Sequence, residues 1–391
     1  MDRARINEGV RRMRFEELLD RYERGEFLQE DAAQMLGVSD RTFRRWRERL
    51  REEGPTGLED RRMRPSGKRA ARAEVERMLG LYRDTYSDFT VKHFHEQLVK
   101  RHGYKLGYTF TKEQLQLSGL VTKAEKRSAH RKKRPRRPMA GMMLHQDGSR
   151  HRWLPGAERQ LDLIVTLDDA TSAIYSAFLV EEEGTASTMR GLLEVVERHG
   201  LFCSLYTDRG SHYFLTPEVG GKVSKTQLTQ VGRALKQLGV EHIAAYSPQA
   251  RGRSERVFGT LQDRLPKEFT LAGVTTLEAA NRFLAETYIA EHNTRFAVAA
   301  EQEGSAFVRD AQGLAREILC VHDERQVGND NTIRWNNLRL QLPPSPLRPH
   351  FVKATVQVRQ YPDDRIAIFW GPHRLADYRP DGTPFEPQEA T

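Results

Sequence analysis

Leu161-Asp-Leu-Ile-Val-Thr-Leu167 and Ile174-Tyr-Ser-Ala-Phe-Leu-Val180 are two short, largely apolar runs separated by Asp168-Asp-Ala-Thr-Ser-Ala173. Runs of this length, rich in β-branched residues and bounded by turn residues, specify strands joined by a tight connection. Upstream, Met142–Leu144 adds a third apolar run, with the strand reading carried to Gln146. Downstream, Thr185–His199 spaces its apolar residues as a helix does, and Leu201–Tyr206 reads as another strand. Val223–Leu238 then reads as helix, His242–Tyr246 as strand and Ser254–Leu265 as helix. Three consecutive strands followed by alternating helices and strands predict a mixed sheet covered by helices, here assigned to residues 139–300.

The flanks have a different texture. Phe15, Leu18, Leu19 and Tyr22 recur at helical spacing until Gly25. In Leu28–Trp46, Ala33, Gly37, Phe43 and Trp46 fall where a helix-turn-helix needs a small residue at the crossing, a turn glycine and two apolar anchors. Ser39 is placed to cap the second helix, and Arg41, Thr42, Arg44, Arg45 and Arg47 lie on its outward faces. Residues 1–53 are therefore expected to form a DNA-binding helix-turn-helix domain, and 54–70, rich in Gly, Pro and Arg, a basic linker. Residues 71–122 predict a second helical unit. Val75, Leu79 and Tyr82 share one helix face there, and Val91, Phe94, Leu98 and Val99 another. Its third segment, Tyr108–Leu120, offers Lys112 and Gln114 to DNA.

Residues 123–138 hold nine Lys or Arg, including Arg131, Lys132, Lys133 and Arg134. Such a run packs no core, and its composition suits a phosphate-following arm and a plain linker equally. Beyond the sheet region, 301–330 is expected as a helical connector. Residues 331–380, with alternating runs at Thr332–Leu342, Phe351–Gln360 and Ile366–Trp370, predict a small β-barrel, and 381–391 a tail.

The charge follows this division. Residues 1–138 carry 35 Lys+Arg against 22 Asp+Glu, so the remainder, from totals of 63 and 54, carries 28 against 32. A basic front on a mildly acidic back half predicts a nucleic-acid binder attached to a domain that concentrates carboxylates. Cys203 and Cys320 are the two cysteines, which excludes a cysteine-based zinc module and a disulfide framework. With no signal-type segment and no apolar run of about 18 residues, the sequence predicts a soluble protein of a reducing cytoplasm.

Three acids stand at structural junctions. Asp147 ends the first strand before Gly148, and Asp208 ends Leu201–Thr207. Glu255 lies near the start of a helix whose apolar stripe is Val257, Phe258, Leu261 and Leu265, flanking that stripe at roughly 110° from its centre. Parallel strands present ligands at their carboxyl ends, where two aspartates and a helix-borne glutamate can hold two divalent ions. Phosphodiester cleavage needs an activated oxygen, neutralised phosphate charge and a stabilised leaving oxygen, all of which a pair of ions supplies. Carboxylates suit Mg²⁺, whereas clustered His or Cys would indicate zinc. Asp162, Asp168 and Asp169 compete as ligands, although Asp168-Asp169 fits a hairpin turn better. His145 and His212 neighbour two of the acids and suit phosphate contact or plain packing, and Trp153 suits base stacking or packing.

His145-Gln-Asp-Gly-Ser-Arg-His-Arg-Trp153, Tyr206-Thr-Asp-Arg-Gly-Ser-His212 and Tyr246-Ser-Pro-Gln-Ala-Arg-Gly-Arg-Ser-Glu-Arg-Val-Phe258 resemble the catalytic blocks of DDE transposases of bacterial insertion sequences. These are relatives of retroviral integrases and Mu-type transposases. The ISNCY group, with a segment like His292-Asn-Thr-Arg-Phe296 after the catalytic helix, is similar. The resemblance spans nearly the whole chain. It implies a multidomain α and α/β protein with helix-turn-helix units, an RNase H-like core and a C-terminal β-barrel. Asp147, Asp208 and Glu255 would be both catalytic residues and ligands of two Mg²⁺ ions, with Mn²⁺ able to substitute. Arg251, Arg253 and Arg256 would meet DNA phosphates. The implied partners are terminal inverted repeats and target DNA, bound by a dimer or larger assembly in a bacterial cytoplasm at the nucleoid. Forty-six residues separate Asp208 from Glu255, more than the spacing of about 35 in many integrase relatives, so an insertion near Phe214–Lys225 is expected and Glu241 becomes the competing acid. Other readings of the same residues are another RNase H-type nuclease and a domesticated DNA-binding regulator.

Overall fold

The computed structural model describes residues 3–59, 70–123, 135–217, 221–224, 226–246 and 252–385, with side chains from residue 9 onward. The chain divides into a unit ending at Thr85 and a unit beginning at Tyr86.

In the first unit, α1 (Arg3–Glu23), α2 (Gln29–Leu36), α3 (Asp40–Glu53) and α4 (Arg72–Thr85) follow one another. Gly37 adopts φ 74°, left-handed backbone that a glycine enters without Cβ strain, and this makes the tight turn between α2 and α3. Ser39 accepts the Thr42 N–H at 3.3 Å, capping α3 as expected. Phe15 of α1 is fully buried, edge-on to Phe43 at 5.2 Å and to Trp46 at 5.5 Å. Gly54–Leu58, expected as linker, instead form a 3₁₀ turn folded back on α3. Gly57 lies so close to the Arg49 carbonyl that no side chain fits there. On α4 the buried residues are Met78 and Tyr82.

The second unit opens with α5 (Val91–His102) and α6 (Tyr108–Leu117). The buried face of α5 consists of His93, Phe94, Gln97 and Leu98, while Val99, expected inward, is exposed. Then come β1 (Leu144–His151), β2 (Leu161–Asp168), β3 (Ile174–Val180), α7 (Thr185–His199), β4 (Ser204–Thr207), α8 (Gln230–Gln237), β5 (Glu241–Ala244) and α9 (Gly252–Ala272). The five strands form one sheet in the order β3-β2-β1-β4-β5. β1, β2 and β3 pair antiparallel, while β1–β4 and β4–β5 pair parallel. This is the mixed, RNase H-like sheet that the sequence predicts. One face packs Leu144 and Leu205 against Leu192, Val195 and Leu235 of α7 and α8. The other packs Leu163 and Val165 against Phe258, Leu261 and Leu265 of α9.

Among the boundaries that differ from expectation are two helix ends. The helix expected from Val223 begins at Gln230, where the Thr229 side chain accepts the Gly232 N–H at 3.1 Å. The helix expected over Ser254–Leu265 runs seven residues further, with Pro266 inside it. After it, α10 (Leu277–Phe283), a π turn (Leu284–Tyr288) and α11 (Ile289–Phe296) run on without a break. They lie along β3, the outer strand. Asn281 and Asn293 each accept a β3 N–H and donate to a β3 carbonyl, at Leu179 and Ile174 respectively, over 2.6–3.0 Å.

The connector expected as helical over 301–330 holds one short helix, α12 (Ala315–Ile318), and then a strand, β6 (Val321–Gln326). β7 (Thr332–Trp335), β8 (Leu338–Gln341), β9 (Thr355–Gln360), β10 (Ile366–Trp370) and β11 (His373–Tyr378) follow. They form a four-stranded antiparallel sheet, β11-β10-β9-β6, and a separate β7–β8 hairpin around one core that includes Ile333, Leu340, Phe351 and Val358. The C-terminal β-structure is thus present, as two ladders.

Candidate active site

β1 continues past the expected end at Gln146, and its antiparallel ladder with β2 runs on to His151, with Asp147 opposite Val165. Its parallel ladder with β4 stops sooner, after the pairs Leu144–Leu205 and His145–Tyr206. Carried two steps further, that register would bring Asp147 and Asp208 level, each two residues past the last paired position. The two aspartates thus stand just beyond the point where the parallel pairing ends, the mouth at which an open sheet presents its ligands. Asp147 is buried, and Asp208 Oδ1 accepts the Gly210 N–H at 2.8 Å, holding the turn that follows β4.

Beneath them lies Tyr213, fully buried, its hydroxyl donating to Gln146 Oε1 at 3.3 Å. The Gln146 amide in turn donates to Thr166 Oγ1 and to the Thr188 carbonyl. Burial first, and then the carboxylates of Glu183, Asp147 and Asp208, push the Tyr213 phenol well above its ordinary pKa.

Glu183 was not among the acids picked out by sequence. Its carboxylate covers Gly148, where a Cβ would collide with it, and it lies 3.5 Å from His212 Nε2. The His212 ring and the Asp208 carboxylate both come within 3.1 Å of where a Cβ on Gly210 would be. A side chain at 148 would displace the Glu183 carboxylate, and one at 210 would crowd Asp208 and His212. The Glu183 N–H donates to Asp162 Oδ2 at 2.8 Å, so Asp162 anchors this carboxylate's backbone. The available signal was the acidic run Glu181–Glu183 between β3 and α7.

Glu255 is exposed in the first turn of α9. Seven residues on, Gln262 donates to Ser149 Oγ of β1 at 3.0 Å. Seven residues are two turns, about 10.5 Å, so Glu255 and Gln262 share one stripe of the helix. Asp147 precedes Ser149 by two positions on the same strand face, about 7 Å back along β1. Glu241, by contrast, opens β5 opposite Ser204, at the far end of β4 from Asp208. Among the described residues, no group of three or more His, Cys, Asp or Glu side chains is gathered tightly enough to hold a metal ion. The donor chemistry of the aspartate pair, hard oxygen at adjacent strand ends, fits Mg²⁺.

The other candidates divide plainly. Asp168 and Asp169 are fully buried in the hairpin turn: Asp168 accepts the Thr171 N–H and hydroxyl, and Asp169 accepts from His145 Nε2 at 2.7 Å. Arg253, expected on DNA, instead forms an ion pair with Asp169 and is largely covered, because the buried carboxylate beside the start of α9 demands a cation. Trp153 is fully buried with its indole N–H on the Ser149 carbonyl, which makes it a packing residue. Burial, then His212, holds His242 down to about 4, so it is neutral at pH 7. On α3, Arg41, Arg44 and Arg45 are exposed, Arg44 bonding Asp40 at 2.8 Å. Ser39 and Thr42 bond one another, and Arg47 donates to Tyr22 Oη and lies over its ring. On α6, Lys112 is exposed and Gln114 half-buried, and Arg256 is exposed on α9. Arg131, Lys132, Lys133, Arg134 and Arg251 lie outside the described residues.

No helix among the described residues is long and apolar enough to cross a membrane. Residues 16–66 match a family described as a helix-turn-helix domain. The chain is 28% identical over 364 residues to y4bF of Sinorhizobium fredii, which is named as a transposase, spanning 92% of this chain and 79% of that protein. It is 31% identical over 205 residues to the transposase for insertion sequence IS1202 of Streptococcus pneumoniae, spanning 52% of this chain and 43% of that protein. The HTLV-2 integrase catalytic core domain, solved in complex with magnesium, overlays 38% of this chain and 90% of that domain at 17% identity and a TM-score of 0.29. By sequence the chain is similar to y4bF over 92% of its length and to the IS1202 transposase over 52%, with a helix-turn-helix at its front and a mixed five-stranded sheet behind it.

Proposed function

We propose that this chain is a DDE-type DNA transposase. It binds terminal inverted repeats, cleaves the element's 3′ ends by phosphodiester hydrolysis and joins them to target DNA by strand transfer, working as a dimer or larger assembly. The observation that carries the reading is the β1–β4 register, which supports Asp147 and Asp208 as a level pair at the strand mouth, with α9 and Glu255 alongside. Asp147 and Asp208 would hold Mg²⁺, with Glu255 completing the donor set. Divalent ions, when bound, neutralise phosphate charge and favour both the attacking and the leaving oxygen. The chain's own share is to fix the two aspartates through the sheet, to keep the Gln146–Tyr213 hydrogen bond dry beneath them, and to bring DNA through α3. The exposed Arg41 and Arg45 on α3 suit phosphates and base edges.

The test uses purified full-length protein and labelled duplexes ending in the inverted repeat that borders its coding sequence. With Mg²⁺ or Mn²⁺ it is expected to nick and join them. Asp208→Asn and Glu255→Gln each remove a hard ligand, and each is expected to lower joining about a hundredfold or more while DNA binding persists. Undiminished products from either variant would remove that residue from the site.

A further inference from the structure

Asp169 sits in the β2–β3 turn with no exposed surface, and among the described residues its carboxylate gathers three donors. They are His145 Nε2 at 2.7 Å, the Arg137 N–H at 2.7 Å, and the guanidinium of Arg253. Its own N–H donates to the Met143 carbonyl at 3.0 Å, and its carbonyl accepts from Arg136 and Arg253. Arg253 further donates to the Pro135 carbonyl at 3.0 Å. His145 precedes Asp147 by two residues and so shares its strand face. Arg253 precedes Glu255 by two residues in the first turn of α9. One buried carboxylate therefore fastens the strand of one proposed catalytic acid and the helix of another, and clips the end of the basic segment at 135–137 to both.

We propose that Asp169 is a positioning residue and that, through Arg253, it fixes the first turn of α9 so that Glu255 stands against Asp147. The inference rests on the active-site reading given above. It assigns Arg253 a task different from the phosphate contact expected of it by sequence. A helix-start glutamate on a solvent-facing stripe has little of its own to hold it, whereas a guanidinium locked on a buried anion sets the register of the whole first turn. Asp169 itself touches neither DNA nor the reacting atoms.

The experiment compares Arg253→Gln, Asp169→Asn, the double variant and Arg253→Lys in the full-length protein. It reads the joining rate at saturating labelled terminal-repeat duplex, affinity for that duplex by anisotropy, and thermal midpoint. Arg253→Gln is expected to lower the joining rate at least tenfold, with DNA affinity within twofold. The double variant is expected to be no slower than the slower single, since both break one link. Arg253→Lys is expected to recover part of the rate. Weaker DNA binding with an intact rate would return Arg253 to the phosphates and overturn the proposal. So would an unchanged rate in folded Arg253→Gln, or rate losses that multiply in the double variant. Should Asp169→Asn fail to fold, Arg253→Gln and Arg253→Lys decide alone. Glu255→Gln run beside them separates the two ideas. Full joining there overturns the assignment of Glu255 itself, whereas lost joining there with normal joining by Arg253→Gln overturns only the positioning role.

Discussion

Glu183 reaches Gly148 from a connection that carries no apolar pattern, and only the fold brings it beside the aspartates. Its neighbours define what it can do: the His212 ring on one side, the Asp147 strand beneath it, and an anchored backbone through Asp162. A carboxylate so held orients the donors around it, and loss of such an outer partner commonly weakens metal affinity about 10- to 100-fold. Glu183→Gln keeps the shape and removes the charge. The Mn²⁺ concentration that half-saturates joining is expected to rise by about that factor, with duplex binding unchanged. A half-point equal to that of the parent chain would make Glu183 a packing residue only. The same crowding marks Gly148 and Gly210: a Cβ at 148 would displace the Glu183 carboxylate, and one at 210 would press on Asp208 and His212 at 3.1 Å.

At the scale of elements, α5 is joined to α9 by polar side chains rather than by an apolar stripe. Glu268 accepts from His93 at 2.7 Å and from Gln97 at 2.6 Å, all three being buried. Arg264 meets Glu96, which Arg295 of α11 also approaches. Burial raises the Glu268 carboxyl, but the His93 hydrogen bond and charge, with Lys100 and Arg101, outweigh it and leave the pKa lowered. Removing one partner of such a buried cluster strands the others, at a cost of about 3–5 kcal/mol. Glu268→Ala is expected to lower the unfolding free energy in urea by roughly that amount, whereas a loss under about 0.5 kcal/mol, the scale of ordinary surface changes, would contradict the seam. This seam shows where sequence reading stops. Periodicity finds apolar faces, so it placed α7, the sheet strands and the α2–α3 turn, whose Gly37, Phe43 and Trp46 are local signals. It placed Val99 inward and missed His93 and Gln97, because a polar residue is recognised as buried only once its partner, 171 or more positions away, is known. β6 was read as helix for a related reason. Val321-His-Asp-Glu-Arg-Gln326 is a half-exposed strand whose alternation is polar on both faces, and its pairing with β9 decides it. Of the proposed site, Asp208 was legible as a strand-end acid, whereas Asp147, expected at a strand end, lies inside β1, which runs on to His151. Their shared level was not legible, since it depends on the β1–β4 register.

For the molecule as a whole, three histidines are held neutral in three different places. Burial holds His242, His292 and His322 each down to about 4, with neighbouring His212, Arg264 and Arg233 respectively adding to the effect. An unfolded histidine titrates near 6.5, so between about 6.5 and 4 the unfolded chain binds more protons than the folded one. Stability is therefore full above about pH 6.5 and is lost as pH falls toward 4. The thermal midpoint is expected to drop between pH 7 and pH 5, and a level profile over that range would contradict the burial of these rings. His322 lies where Gln230 of α8 bonds both the N–H and the carbonyl of His322, so acid would loosen the first strand of the C-terminal sheet from the core. The two asparagines along β3 act on how copies of the chain meet. An outer strand with bare N–H and carbonyl groups is a template on which another chain can stack. Asn281 and Asn293 occupy part of that template with side-chain amides at Leu179 and Ile174, so Asn293, within the segment His292–Phe296, helps to cap the outer edge of β3.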